Sequence, residues 1–273
     1  MTHKSIVWIT AVAAIGMAQA AAAAADLPVK MPVASAPRWT GFYVGANAGY
    51  GWHDPAVTFS TSDTFLDLGS TVGPGAPVAF SIAGALGGLQ FGYNWQVNRT
   101  WLIGVETDFD FSGIKGNGTS ANLAPAGPYP FASTADERVR WFGTVRGRLG
   151  YLPTENLLVY GTGGLAYGDV ERNASYINNS TFIISRGNGI CVRNTTCYMG
   201  SSTRLAAGWT VGGGAELAFA GNWTVKAEYL FVNLGNYTLT ENVIFPAGST
   251  STMTAAFDAM AFHVVRAGLN YRF

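Results

Sequence analysis

The chain has 273 residues, of which only 12 % are charged and 13 % aromatic, and 35 are glycine. A soluble domain has about twice that charged fraction, and the formal net charge of zero gives no indication of nucleic-acid binding. Beyond the N-terminal segment, no apolar run approaches the roughly 18 residues of a membrane-spanning helix. Composition therefore points away from soluble, nucleic-acid-binding and helical membrane proteins.

The first 25 residues have the composition of a secretory signal peptide, in which an apolar run over 6–17 precedes small residues. Cleavage after Ala25 is predicted, and cleavage after Ala20 also fits the pattern. An uncleaved membrane anchor is the weaker alternative, because the second half of the segment is alanine-rich and only weakly apolar. Residues 26–38 carry three prolines and show no period, so a periplasmic arm is predicted there.

From residue 39 onward the sequence alternates with a period of two, which indicates β-strands with two different faces. In the first segment Phe42 and Val44 fall on one face, while Tyr43 and Asn47 fall on the other. The phase of the fifth segment is ambiguous because that segment is rich in glycine. Eight strands are predicted, at about 39–52, 88–95, 101–111, 138–151, 157–170, 204–219, 223–231 and 265–273.

The connections between these strands alternate between short and long. Short turns opposite long outer loops are typical of membrane barrels, whereas a soluble β-sandwich has no reason to sort its loops in this way. Residues 39–273 are therefore predicted to form an all-β, eight-stranded, antiparallel transmembrane up-and-down β-barrel with short periplasmic turns and long extracellular loops. The short connections are 96–100, 153–156 and 220–222, and the long ones are 54–83, 113–137, 173–202 and 241–260.

Aromatic residues recur on one face of four strands at a spacing of 8 to 10 residues. A tilted strand climbs about 2.5 Å per residue along the membrane normal, so this spacing covers the apolar band of about 25 Å. The pattern predicts aromatic girdles at both membrane interfaces, with the opposite strand face directed into the lumen. The pairs are Phe42 with Tyr50 and Trp52, Trp101 with Phe109 and Phe111, Trp141 with Tyr151, and Trp209 with Phe219.

The face opposite the aromatics carries five acidic and seven basic residues. An eight-stranded barrel has an interior only wide enough for side chains to fill, and an unpaired buried charge costs several kcal/mol. We expect these charges to pair and to close the lumen, while a small porin-like channel for ions or small solutes is the alternative. The predicted interior charge network is Glu106, Asp108, Asp110, Arg138, Arg140, Arg146, Arg148, Glu216, Lys226, Glu228, Arg266 and Arg272.

The sequence offers little support for catalysis or for the binding of a metal or cofactor. The adjacent pair His53 and Asp54 would point to opposite faces of an extended strand, so no catalytic residue is predicted. No metal site is predicted because no cluster has ligand spacing, and no cofactor is predicted. The glycines of 161–164 lie within a strand rather than before a helix, as a phosphate loop requires. Cys191 and Cys197, which share the third long loop, are predicted to form a disulfide in an oxidising compartment.

Four segments carry a resemblance to a known family. The first segment is Ala25-Asp26-Leu27-Pro28, around the predicted start of the mature chain, together with 39–45 (WTGFYVG). The second is Gly92-Tyr93-Asn94-Trp95 in the second strand. The other two segments are 146–164 (RGRLGY followed by LVYGTGG) and 265–273 (VRAGLNYRF). The chain resembles the Omp25/Omp31-type family of α-proteobacterial outer-membrane proteins, in the OmpA-like eight-stranded barrel class.

The resemblance implies a structural surface protein of the envelope with antigenic outer loops. It also implies that Tyr271 and Phe273 form the C-terminal signal by which the barrel-assembly machinery recognises its clients. We therefore predict a non-enzymatic protein of the bacterial outer membrane that contributes to envelope integrity and surface presentation. Its predicted partners are outer-membrane lipids and lipopolysaccharide, the barrel-assembly machinery, and host or surface ligands at the loops.

Overall fold

The computed structural model describes residues 39–61, 77–123, 130–179, 184–186, 189–243 and 252–273. The predicted signal peptide (1–25) and periplasmic arm (26–38) lie outside the described residues. Within the described ranges the chain forms fifteen strands, and no helix there is long and apolar enough to cross a membrane. The strands are β1 (Gly41–His53), β2 (Ala56–Thr61), β3 (Val78–Ala79), β4 (Ile82–Gln96), β5 (Trp101–Ser112), β6 (Lys115–Leu123), β7 (Pro130–Thr154), β8 (Leu157–Asn178), β9 (Ile184–Arg186), β10 (Gly189–Cys191), β11 (Thr195–Ala220), β12 (Trp223–Asn233), β13 (Tyr237–Val243), β14 (Thr252–Phe257) and β15 (Ala261–Arg272).

Eight of these strands hydrogen-bond in a closed circuit, which we call the barrel. Its order is β1, β4, β5, β7, β8, β11, β12 and β15, and every neighbouring pair is antiparallel. The circuit closes where β15 pairs with β1, from Tyr43 opposite Arg272 to Trp52 opposite His263. Closure gives the backbone groups of each strand partners on both sides, as a lipid environment requires. The predicted all-β antiparallel barrel is confirmed.

The outward face of the barrel is apolar. Phe42, Leu89 and Leu165 have exposed fractions of 53 %, 67 % and 68 %, which in water would be costly for so many large side chains. The lower end, where the short turns lie, carries aromatic contacts such as Trp101 with Tyr151, whose ring centroids are 5.6 Å apart. At the other end, seven strands each contribute one aromatic side chain to a belt around the barrel, which we call the upper aromatic ring. Its members are Trp52, Phe109, Trp141, Tyr167, Trp209, Phe231 and His263.

Three barrel strands, β7, β8 and β11, continue above the upper aromatic ring into a second layer that we call the upper tier. There β6 pairs with β7, β13 pairs with β11, and the order continues through β14 and β2 to β3. The long connections that were predicted as loops therefore contain strands. The two-residue alternation continues through them and gives each strand an apolar face to bury.

The upper tier surrounds an apolar cluster, while its outward residues, such as Thr119 and Asp136, are exposed. Two further apolar clusters lie inside the barrel, one at each end. The upper one includes Phe142 and Phe262, whose ring centroids are 5.3 Å apart, and the lower one is built around Trp39. The cluster of the upper tier contains Val57, Phe59, Val78, Phe131, Ala135, Ala174, Tyr176, Cys197, Tyr198, Leu239, Met253, Ala255 and Phe257.

Candidate functional site

The middle of the barrel interior holds a dense cluster of charges between the two apolar layers. The acids of β5 point inward at every second position, and β7, β12 and β15 supply the bases in the same manner. Each of these charged side chains has an exposed fraction of 3 % or less. The cluster consists of Glu106, Asp108, Asp110, Arg146, Lys226, Glu228 and Arg266.

Arg146 of β7 binds carboxylates from two other strands. Its Nη2 donates to Asp108 Oδ2 at 2.8 Å and to Glu106, while its Nη1 donates to Glu228 Oε1 at 2.8 Å. The same Nη1 donates to the Thr162 hydroxyl at 3.0 Å. These contacts cross the lumen from β7 to β12, so Arg146 joins opposite walls of the barrel.

Arg266 of β15 makes the complementary set of contacts. Its Nη1 lies 2.7 Å from Asp110 Oδ2, and its Nη2 lies 2.7 Å from both Asp108 Oδ2 and Glu228 Oε2. Charge-assisted hydrogen bonds of this kind are about twice as strong as neutral ones. Asp108 and Glu228 are therefore each shared between two guanidinium groups.

Lys226 completes the cluster from β12. Its Nζ donates to both carboxylate oxygens of Glu106, at 2.8 and 2.9 Å. The Tyr43 hydroxyl donates to Glu106 Oε2 at 2.7 Å. Sequence reasoning placed Tyr43 on the inward face but did not include it in the network. Its position in the alternation was the available signal.

A second ion pair lies nearer the lower end, where Arg148 donates to Glu216. Glu216 also accepts hydrogen bonds from Thr224 and from Asn270 Nδ2, the latter at 2.9 Å. The Arg148 guanidinium lies 3.6 Å from the centroid of the Tyr160 ring. The pair is thus held by cation–π contact as well as by charge.

The placement of two predicted members was wrong. Arg138 and Arg140 are exposed on the outer wall and do not face the lumen. The register of β7 against β8 shifts by a bulge between Val139 and Trp141, and the extra residue changes which side chains face inward above it. Period counting through the bulge therefore gave the opposite face. Arg140 lies 3.5 Å from Asp169, with half of its side chain exposed.

Arg272 is buried but lies apart from the cluster. Its guanidinium sits 4.7 Å from the centroid of the Trp39 ring, at the lower end of the barrel. Because Arg138 and Arg140 are exposed, the barrel interior contains five buried acids and five buried bases among the described residues. A balanced set of buried charges can be paired throughout, which is the condition for their stability in a medium of low dielectric constant.

The upper tier contains buried charges that the sequence analysis missed, because they fall in segments predicted as loops or, for Arg172, between a predicted strand and a predicted loop. Arg172 Nε donates to Glu137 Oε1 at 2.5 Å, and burial raises the pKa of Glu137 despite this partner. Glu241 is fully buried, and among the described residues neither of its carboxylate oxygens has a hydrogen-bond partner. Burial alone raises its pKa to about 8. For Glu137 and Arg172 the available signal was the two-residue alternation of 131–139 and 170–176.

The remaining predicted features lie outside this cluster. His53 is half-buried at the upper end of β1, and Asp54 is exposed. Among the described residues no group of three or more histidines, cysteines or acids is placed to hold a metal ion. Cys197 has no free thiol, but the side chain of Cys191 lies outside the described residues, so their pairing stays a prediction. Tyr271 and Phe273 lie at the lower end, with ring centroids 5.3 Å apart.

A closed antiparallel barrel with an apolar outer belt, aromatic rings at both ends and a charged interior defines an integral β-barrel protein of the outer membrane. The comparison with protein families gives the same class. Residues 10–273 match the family model of the outer membrane protein beta-barrel domain, and the chain belongs to this family. The predicted location in the bacterial outer membrane is thereby confirmed.

Similarity to individual proteins assigns the chain to a smaller group within this family. The chain is 38 % identical over 265 residues to the 31 kDa outer-membrane immunogenic protein of Brucella melitensis, covering 92 % of this chain and 93 % of that protein. It is 34 % identical over 140 residues to the 22 kDa outer membrane protein of Rhizobium leguminosarum, covering 51 % and 49 % of the two chains. The predicted membership in the Omp25/Omp31-type family is confirmed.

Solved outer-membrane proteins also align with the chain at low identity. The outer membrane protein OprG of Pseudomonas aeruginosa is 12 % identical, with a TM-score of 0.45 over 86 % of this chain and 97 % of that chain. Neisserial surface protein A is 15 % identical, with a TM-score of 0.33 over 86 % and 98 % of the two chains.

Proposed function

We propose that this outer-membrane protein is a non-enzymatic structural barrel whose lumen is closed, and that it contributes to envelope integrity and presents its upper tier at the cell surface. The observation that carries the proposal is the filled interior. Arg146 pairs across the lumen with Glu228 at 2.8 Å, and Arg266 pairs across it with Asp108 and Asp110 at 2.7 Å. Side chains held in this way occupy the space that a solute would need.

Apolar layers above and below the charges support closure. Phe142 and Phe262 meet across the upper layer, and both have an exposed fraction of 0 %. At the lower end the Trp39 indole donates to the backbone oxygen of Glu155 at 2.9 Å and packs against Leu102. An ion would have to pass through two layers built mainly of buried apolar side chains, where its desolvation costs far more than thermal energy.

Surface presentation is supported by the upper tier, whose outward residues are polar and whose strands extend the barrel beyond the upper aromatic ring. The name of the Brucella relative describes that protein as immunogenic, which agrees with exposure of such a region at the cell surface. Host or surface ligands are proposed to bind there. The predicted disulfide of Cys191 and Cys197 would stiffen the third loop.

Single-channel conductance of the folded full-length protein in a planar bilayer tests closure. No reproducible steps are expected from protein whose β-structure is verified by circular dichroism. A double variant, Phe142→Ala with Phe262→Ala, serves as a matched test of the upper layer and is also expected to be silent, since the charge cluster remains. Large steps from the wild-type protein would overturn the closed lumen and support the small porin-like channel.

We also propose that Tyr271 and Phe273 form the assembly signal. Phe273 is 74 % exposed and caps the last strand on the lipid-facing side, so it is available to a membrane-embedded partner. Phe273→Ala is expected to lower the amount of folded protein in the outer membrane without altering spontaneous folding in detergent. Equal loss in both assays would mean that the residue acts on stability rather than on recognition.

A further inference from the structure

Three strands of the upper tier, β13, β14 and β2, form a sheet that we call the flap. Within it, β13 pairs with β14 and β14 pairs with β2 along nearly their whole lengths. The two edges of the flap hold fewer strand pairs among the described residues. β13 pairs with β11 only where Tyr198 lies opposite Val243 and Met199 opposite Asn242, and β2 pairs with β3 only near its lower end. Regions held by few backbone hydrogen bonds open before the rest of a protein.

Three short connections join the flap to the barrel at one height. They are 54–55, 234–236 and 258–260, which lie next to the upper ends of β1, β12 and β15. Gly235, within the second of them, has a φ of 81°, which glycine adopts without strain. Its backbone oxygen accepts a hydrogen bond of 2.9 Å from the nitrogen of Met260. β7, β8 and β11 pass this height without interruption, so a line about which a sheet can turn lies under the flap and not under these strands.

A slit separates the flap from β11. β11 pairs with β12 below and with β13 at the two positions given above, but it has no ladder pair on this side in between, in a stretch that is described throughout. The chains approach closely at both ends of this stretch. A Cβ atom added to Gly208 would collide with the backbone oxygen of Asn233, and one added to Gly200 would lie 3.1 Å from that of Thr240. The slit therefore runs beside residues 201–207 of β11.

An arginine beside the slit indicates that the wall is open there. Thr203, Arg204 and Leu205 are three consecutive exposed residues of β11. Regular alternation turns the middle one of the three to the inner face, where Ala206, two positions further along, is buried. The register of β11 against β8 is regular at these residues, so a bulge does not explain the exposure of Arg204. Its side chain is exposed through the slit.

Tyr237, the first residue of β13, makes the side-chain contacts that close the slit. The Ser202 hydroxyl donates to the Tyr237 hydroxyl at 3.2 Å. The guanidinium groups of Arg204 and Arg172 lie 4.7 and 5.6 Å from the centroid of the Tyr237 ring, within the range of cation–π attraction. One residue of the flap thus contacts β8 and β11, neither of which belongs to the flap. These contacts can break while every strand pair remains intact.

The inner face of the flap carries a group whose burial opposes closure. Glu241 of β13 is fully buried, and its carboxylate oxygens have no hydrogen-bond partner among the described residues. A buried polar group without a partner carries the full penalty of its desolvation. Opening of the flap returns this carboxyl group to water. The closed position is therefore held by Tyr237 and by apolar residues of the flap such as Leu239 and Met253, against the unfavourable burial of Glu241.

We propose that the upper tier opens sideways, with the flap turning outward about its three connections and the slit widening, while β7, β8 and β11 stay in place. Tyr237 holds the closed position through its contacts with Arg172, Ser202 and Arg204. The movement exposes the apolar cluster of the upper tier to the surroundings. It does not involve the charge cluster of the barrel, so it takes place whether or not the lumen is closed.

Thiol labelling of two buried reporters measures the opening. Ala174→Cys places a thiol in the apolar cluster of the upper tier, and Ala166→Cys places one lower on the same strand, in the upper apolar layer of the barrel. Both alanines are buried. In the detergent-folded full-length protein, without reductant, a maleimide is expected to label the Ala174→Cys protein about tenfold faster. The parent chain gives the background, because Cys197 has no free thiol. Equal rates at the two reporters would overturn the proposal.

Removal of the Tyr237 contacts should favour the open position. Tyr237→Ala is expected to raise labelling of the Ala174→Cys protein by about tenfold, and Tyr237→Phe, which loses only the bond to Ser202, should raise it less. Tyr229→Ala, which removes an exposed tyrosine of the barrel strand β12, serves as the control and should change nothing. Faster labelling at both reporters alike, in either Tyr237 variant, would mean that the flap does not open separately and would refute it.

A disulfide across the free end of the slit should prevent opening. Met199→Cys with Asn242→Cys joins β11 to the flap at register partners, and its oxidised form is expected to slow amide hydrogen exchange in β14 by about tenfold. The control, Asn173→Cys with Ser201→Cys, joins β8 to β11 outside the flap and should leave exchange in β14 as it is in the wild type. Equal exchange in the two crosslinked proteins would contradict a flap that opens at this edge.

Discussion

The barrel and the upper tier are built by the same long strands but have opposite polarity. In the barrel, large apolar residues such as Leu89 and Leu165 face outward and the charges face inward. In the upper tier, Phe131 and Tyr176 face inward, stacked with ring centroids 5.1 Å apart, while polar residues face outward. The surrounding medium decides between the two arrangements, because lipid accepts apolar surface and water accepts polar surface.

Strand β7 shows how one strand serves both regions. Below its bulge Arg146 and Arg148 face inward and Leu149 faces outward, whereas above it Val139 faces inward and Arg138 outward. The bulge lies at the level of the upper aromatic ring. A single extra residue thus shifts the phase of the alternation where the medium changes from lipid to water.

The largest effect is expected from breaking the charge cluster of the barrel. Glu106→Ala removes the acid that Arg146, Lys226 and Tyr43 contact, and it should lower the free energy of unfolding by about 3 to 5 kcal/mol because buried charges lose their partner. Urea unfolding in lipid vesicles, followed by tryptophan fluorescence, measures this. Glu155→Ala, an exposed control in a turn, should change stability by less than about 0.5 kcal/mol. Equal stability of the two variants would refute the network.

The barrel has an apolar outer surface and the upper tier a polar one, so an added charge should destabilise the barrel but not the upper tier. Leu89 faces outward near the middle of β4 and pairs with Ala46 near the middle of β1, so Leu89→Arg should cost about 2 to 4 kcal/mol in a bilayer. Thr119→Arg, on the outward face of the upper tier, should leave the free energy of unfolding almost unchanged. The same unfolding assay compares them. A similar cost at both positions would mean that the upper tier also meets lipid.

The buried Glu241 should make the upper tier sensitive to pH. Its pKa in the folded protein is about 8, above the ordinary value of 4.5. Below pH 4.5 the acid is protonated in both states. As pH rises to 8, ionisation stabilises only the unfolded state, and stability falls by about 1.4 kcal/mol per pH unit. Glu241 is therefore expected to make the upper tier less stable as the pH rises from 4.5 to 8.

Hydrogen exchange of β13 and β14 at pH 5 and pH 7, corrected for the intrinsic exchange rate, checks this expectation. In the wild type, the free energy of the opening that permits exchange should fall by roughly 2 to 3 kcal/mol from pH 5 to pH 7. In Glu241→Gln most of this pH dependence should be absent. Protection of the barrel strands should not follow the same course. An unchanged pH dependence in the variant would show that another group titrates.

The smallest effect is expected at Arg140, whose ion pair with Asp169 is 3.5 Å long and half exposed. Arg140→Ala should lower stability by less than about 1 kcal/mol, as surface ion pairs do. A loss comparable to that of Glu106→Ala would place the Arg140 side chain inside the protein, contrary to the bulge. Urea unfolding under the conditions used for Glu106→Ala makes the two losses directly comparable.

The sequence by itself determined the class of fold and most of the charge cluster. Strict alternation, low charge and paired aromatics specify a lipid-facing surface on one side of each strand, because those patterns depend only on local residue spacing. The inward positions of Glu106, Arg146 and Arg266 followed from the same count. None of these inferences required knowledge of which strands are neighbours across the lumen.

Tertiary structure decided what local spacing does not encode. The bulge in β7 is visible only in its register against β8, so the outward positions of Arg138 and Arg140 could not be counted from the sequence. The upper tier depends on pairing between segments far apart in the chain, such as β2 with β14. Long-range pairing is set by the shared burial of several strand faces, which no single segment records.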